Sequence, residues 1–117
     1  MNTTVARPES GVLPERFAVE VTVDDIMHGE PSDADKCPLA LAVTRWLRRR
    51  RIRFVAVTVT SRDVLISIGR PRSARQYWSI GRPRSAQHYW HDSASLILAF
   101  DHGEPVEPRT VVLAKLP

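Results

Sequence analysis

At 117 residues the chain has room for one hydrophobic core, and its 43% hydrophobic and 26% charged content is that of a folded domain, not a disordered one. A net charge of +4 with a pI near 10.0, nearly all of it from arginine, permits a polyanionic partner without requiring one. The single cysteine, Cys37, excludes an intramolecular disulfide and fits a reducing cytoplasm; no apolar run is long enough to span a bilayer, so no membrane association is expected.

Residues 1–15 hold Pro8, Gly11 and Pro14 among polar side chains without an apolar period, which predicts a flexible leader before a single α+β domain over 16–117. Phe17, Val19, Val21 and Val23 then alternate with Ala18, Glu20, Thr22 and Asp24, the period of a strand with one buried face. A short helical turn at Asp24–His28 stops at Gly29. Pro38 suits the first turn of a helix that starts near Cys37, and Leu39, Val43, Trp46 and Leu47 form its apolar stripe. That helix ends in Arg48–Arg51, where its dipole favours positive charge. Val55, Val57 and Val59, then Val64, Ile66 and Ile68, alternate on either side of a Ser61–Asp63 turn and predict a hairpin. Asp92 or Ser93 can cap a second helix over Ala94–Asp101, with Gly103 as its stop, and Arg109–Lys115 reads as the last strand. The order predicts a ferredoxin-like βαββαβ sandwich, an antiparallel sheet with two helices on one face.

Between these elements lies a tandem duplication: SIGRPRSARQYW at 67–78 is followed by SIGRPRSAQHYW at 79–90, differing only where Arg75 and Gln76 become Gln87 and His88. Two short copies cannot form a solenoid. Each has a Gly-Arg-Pro-Arg-Ser turn and a Tyr-Trp pair of good β-propensity. The expectation is therefore an inserted duplicated β-hairpin, running as a meander from Val64–Ile68 through Gln76–Ile80 to Gln87–His91. Its exposed edges could pair with a second copy of the chain and give a homodimer. A tolerated loop is the alternative.

For chemistry, the arginine run at 45–53 is the main signal. Arg48, Arg49, Arg50 and Arg51, with Arg70, Arg72, Arg82 and Arg84 beside Tyr77, Trp78, Tyr89 and Trp90, could supply phosphate contacts and stacking platforms to nucleic acid or contacts to a protein partner. The competing reading is that the arginines satisfy the helix dipole while the aromatics form core. His88, His91 and His102 do not have metal-ligand spacing, Cys37 lacks an identifiable His and acid partner, and no phosphate loop or nucleophile elbow is present. No cofactor, no metal and no enzymatic activity are expected.

Three stretches, Ile26-Met27-His28-Gly29, Cys37-Pro38-Leu39-Ala40-Leu41-Ala42 and Ala99-Phe100-Asp101-His102-Gly103-Glu104-Pro105-Val106-Glu107-Pro108, carry a resemblance to a set of small uncharacterised proteins encoded by actinobacteria and their phages. The resemblance spans both helices and not the duplicated region, and it implies a phage or prophage accessory protein without catalytic residues. The functional expectation is a non-enzymatic binding protein acting on an unknown protein partner. A small basic nucleic-acid-binding protein is the alternative.

Overall fold

The computed structural model describes residues 13–68 and 85–116. Among these the elements run β1 (Arg16–Val21), α1 (Val23–His28), α2 (Pro38–Arg49), β2 (Phe54–Val59), β3 (Asp63–Ile68), β4 (Ser85–His91), α3 (Ala94–Asp101) and β5 (Arg109–Lys115). The alternation in β1 does what its period requires: Phe17, Val19 and Val21 are buried while Arg16, Ala18 and Glu20 face solvent. Val23 is the first residue of α1, not the end of the strand, because Thr22 caps that helix and exchanges hydrogen bonds with Asp25. Leu13 to Glu15, at the end of the expected leader, contact the domain. Leu13 is buried, the Pro14 carbonyl accepts from the Tyr89 hydroxyl, and the Glu15 carbonyl accepts from the Lys115 N–H at 2.7 Å.

The five strands lie in the order β1-β5-β4-β3-β2, and every neighbouring pair is antiparallel. The α+β class holds, but this is not the ferredoxin-like order. That fold places one strand between the two parallel strands of its first βαβ unit; here β5, β4 and β3 all lie between β1 and β2, so α2 must cross from one edge of the sheet to the other. The expected meander also gives way. Ile68 pairs directly with Ser85 and Val64 with Tyr89, so the second copy of the repeat is the neighbour of β3, and no strand at Gln76–Ile80 separates them. Residues 76–80 themselves lie outside the described part.

One face of the sheet carries the core. Val57 and Val59, Val64 and Ile66, Tyr89, Val111 and Leu113 share it with the β1 residues and are covered by Leu39, Val43 and Leu47 of α2 and by Leu96 and Ile97 of α3. Each fully buried aliphatic of this kind contributes about 1.5–3 kcal/mol. At the α2 end, Trp46 stacks on Phe17 with ring centroids 4.0 Å apart, and Phe17 meets Tyr89 edge-on at 5.1 Å. β4 and β5 share only three paired positions, Tyr89 to His91 against Lys115 to Leu113, because β5 ends at Lys115 and β4 ends at His91 before α3. Asp92 bridges the resulting gap by accepting from the Val112 N–H.

Both longer helices stop in the same way. After α3 the N–H groups of Gly103 and Glu104 reach back to the carbonyls of Phe100 and Ala99, and after α2 those of Arg51 and Ile52 reach back to Arg48 and Leu47. This termination needs a left-handed residue: Gly103 has φ +77°, but its counterpart Arg51 has φ +58° with a side chain to accommodate. Arg51→Gly is therefore expected to stabilise the fold by about 0.5–1 kcal/mol in urea denaturation, the conformational cost of a left-handed side chain outweighing the added freedom of glycine in the unfolded chain.

Candidate nucleic-acid interface

The arginines gather because of how the chain leaves α2. The helix stops at Arg49, Arg50 to Arg53 make the connection, and β2 begins at Phe54, so Arg48, Arg49, Arg50, Arg51 and Arg53 all stand exposed at one end of the molecule. Antiparallel order brings further charge to that end. β1 begins there with Arg16 and β5 finishes there with Lys115, while β3 ends and β4 begins there, on either side of the segment 69–84, which lies outside the described residues. Its sequence contains Arg70, Arg72, Arg75, Arg82 and Arg84 and no acidic residue.

The opposite end is acidic. α1 and the loop to α2 carry Asp24, Asp25, Glu30, Asp33 and Asp35, and α3 with the loop after it carries Asp101, Glu104 and Glu107. The protein is therefore polarised along the strand direction. Such segregation focuses the field at the basic end and attracts polyanions.

Not every arginine of the run is free for a ligand. Arg45 lies within the helix and its guanidinium donates to both carboxylate oxygens of the buried Asp25, at 2.7 and 2.9 Å, and to the Glu20 carbonyl. Burial pushes the Asp25 carboxyl up, but the hydrogen bonds from Arg45 and Thr22 outweigh it and hold the acid below its ordinary range. Arg50 lies over the Trp46 ring at 4.6 Å and Arg48 over Phe54 at 6.0 Å, which fixes their stems against the core and leaves their charge at the surface. Arg49, Arg51 and Arg53 make no ion pair among the described residues.

The aromatics of the expected site separate. Tyr89 is fully buried, and burial together with the nearby Glu15 carboxylate pushes its phenol up to about 12; it is a core residue and cannot stack on a base. Trp90 points to the other face of the sheet, half exposed, opposite Asp63 and away from the arginine end. Arg70, Arg72, Arg82, Arg84, Tyr77 and Trp78 lie outside the described residues. Sequence reasoning missed Arg16 and Lys115, which are 99 positions apart and come to the same end of the sheet, on opposite faces, only through the pairing of β1 with β5. No local pattern could have linked them.

The remaining reactive groups are structural. His91 is buried; its Nδ1 accepts from the Ser93 N–H, so Nε2 carries the proton and donates to the Thr60 carbonyl. The Cys37 sulfur accepts from the Ala40 N–H as the cap of α2, and burial pushes its thiol up, away from thiolate chemistry. Among the described residues no three His, Cys, Asp or Glu side chains converge as metal ligands, and no helix is long and apolar enough to cross a membrane.

No family model matches the chain, and no curated protein or solved structure matches it.

The Asp25–Arg45 pair ties α1 to the second half of α2. Because its carboxyl is depressed in the folded state, Asp25 contributes stability at pH values above the unfolded carboxylate range, and that contribution is lost as pH falls through and below it. Asp25→Asn is expected to cost about 2 kcal/mol near neutral pH and to flatten the acid limb of the stability profile, both measured by urea denaturation across pH.

Proposed function

We propose that this chain is a non-enzymatic binding protein whose working surface is the arginine end, and that its partner is nucleic acid held through the phosphate backbone. The observation that supports this reading is the segregation of charge: Arg48 to Arg51, Arg53, Arg16 and Lys115 all lie at the end of the sheet where β1 and β2 begin, while the acids of α1 and α3 occupy the far end. Arginines on a short rigid turn give phosphate contacts. With Tyr89 in the core, Trp90 at the other end and Trp46 stacked on Phe17 beneath Arg50, the described residues offer the arginines no free aromatic platform, so binding is backbone-directed and tolerant of sequence. The resemblance of the helical stretches to actinobacterial and phage proteins supports a cytoplasmic accessory role, carried by those stretches alone.

A second reading, docking of a protein, has its own support in Trp90. It stands 50% exposed on the sheet face opposite α2, with Leu65, Ala114 and Val112 on the same face. This face could receive a second copy of the chain or another protein. The edge at β2 suits strand addition less well, since the Ala34 carbonyl already accepts from the Val59 N–H and a bulge interrupts the strand between Phe54 and Ala56.

Fluorescence anisotropy with a labelled duplex oligonucleotide separates the two. Engagement of about five phosphates predicts that affinity falls roughly 10²–10³-fold between 50 and 200 mM salt. Arg49→Glu with Arg51→Glu should weaken binding at least about tenfold at fixed salt, and Trp90→Ala should leave it unchanged. Affinity indifferent to salt and to the charge reversal contradicts the nucleic-acid reading.

A further inference from the structure

The sheet face opposite the helices carries a charge pattern that neither the core nor the arginine end explains. Phe17, Leu113, Tyr89 and Val64 point into the core, so their neighbours along each strand point the other way. Strand register sets four of those neighbours in one row across the sheet: Arg16 of β1 pairs with Ala114 of β5, Ala114 with Trp90 of β4, and Trp90 with Asp63 of β3. A cation and an acid thus bracket one small and one large apolar side chain. Trp90 is 50% exposed, Arg16 is exposed and Asp63 is partly exposed. Among the described residues the one ion pair is Arg45 with Asp25, so neither Arg16 nor Asp63 is neutralised there. Leu65 and Val112, partly exposed on the same face, extend the apolar ground beside Trp90.

This row is complementary to itself. Consider two sheets face to face, related by half a turn about an axis that runs parallel to the strands and passes between β5 and β4. Arg16 of each copy then lies over Asp63 of the other, and Trp90 of each over Ala114 of the other. An axis along the row instead sets Arg16 on Arg16 and Asp63 on Asp63, where like charges repel. The pattern therefore selects both an occupant and an orientation. Stacked sheets sit about 10 Å apart, a gap that an arginine and an aspartate close between them, and the large indole meets the small Ala114. Four strands about 4.8 Å apart, over about four residues each, span roughly 19 by 14 Å. That is well short of the roughly 800 Å² per partner of a standard interface, so the association is weak and reversible.

We propose that a second copy of this chain docks on the open sheet face, held by two Arg16–Asp63 pairs and two Trp90–Ala114 contacts. The proposal rests on the docking reading of the Trp90 face and is independent of nucleic-acid binding. Arg16 belongs both to this row and to the arginine end; Arg48 to Arg51 and Arg53, in α2 and its connection to β2, lie outside the contact.

Sedimentation equilibrium of the full chain, from micromolar to about millimolar concentration, reads the association directly, and the wild-type chain should dimerise reversibly in the upper part of that range. Arg16→Asp and Asp63→Arg should each weaken dimerisation at least about tenfold, since each sets two like pairs opposite one another, and Trp90→Ala should weaken it as well. An equimolar mixture of the Arg16→Asp and Asp63→Arg chains should restore the dimer, because every contact between them joins opposite charges. Mixing does not rescue chains that fail to fold, so the restored dimer separates lost contact from lost structure. A wild-type chain that stays monomeric throughout overturns the proposal alone and leaves the face to a different protein. Association that survives both charge reversals and Trp90→Ala runs through another surface and overturns the proposal together with the docking reading. Two variants that unfold in urea like the wild type, but whose mixture stays monomeric, overturn the pairing of Arg16 with Asp63 and the proposal with it.

Discussion

Helix α2 has to carry the chain from one edge of a five-stranded antiparallel sheet to the other, and the rest of the molecule is arranged around that span. Its first turn is set by Pro38 and the Cys37 cap, its buried stripe by Leu39, Val43 and Leu47, and its far end by the stack of Trp46 on Phe17, against which Tyr89 packs edge-on. The Tyr89 hydroxyl then fastens the chain before β1 through the Pro14 carbonyl. Residues from α2, from the β1 edge and from the middle of the sheet thus meet at one point. Gly29 helps set the other end, since a Cβ there would lie 2.8 Å from the Pro38 ring. Loss of that approach would shift the start of α2 and with it the whole crossing.

The same span creates the charge pattern. A helix running against β1 and β2 puts its C-terminus at the ends where those strands begin, and a sheet with only antiparallel neighbours returns every odd connection to the same side. The α2 to β2 connection, the start of β1 and the end of β5 therefore lie at the same end of the sheet, and all carry basic residues. At the opposite end the connections that contain α1 and α3 are acidic, while the β2–β3 turn carries Arg62. Arginine at a helix C-terminus has an ordinary electrostatic rationale. That rationale accounts for Arg48 and Arg49, but not for the continuation of charge through Arg53 or for its alignment with Arg16 and Lys115, and it is this excess that the proposed function uses.

Much of the secondary structure was legible because its signals are local. The alternation of β1, the stripe of α2, the bounds of α3 and β5, and the left-handed stop at Gly103 all follow from periods and caps within a few residues. Strand order was not. Nothing local tells β5 to insert between β1 and β4, and the ferredoxin-like expectation failed at that point. The repeat misled for a related reason: two copies of one good strand sequence read as two strands, whereas the sheet has one place beside β3 and the second copy fills it. In the site, the run at Arg48 to Arg51 was visible as composition. That the aromatics form core was read as one alternative, but not that Tyr89 is buried and Trp90 half exposed, because the two have the same propensity and only the face of the strand decides which is buried.

The most direct test of the account is a backbone amide NMR titration of the full chain with a short duplex oligonucleotide at low salt. The account places the shifted resonances among the described residues at Arg16, at Arg48 to Arg53 and at Lys115, with the amides of Asp33, Asp63 and Asp101 unmoved. Shifts centred on the acidic end or on the sheet face around Trp90, or none at any oligonucleotide concentration, would contradict it.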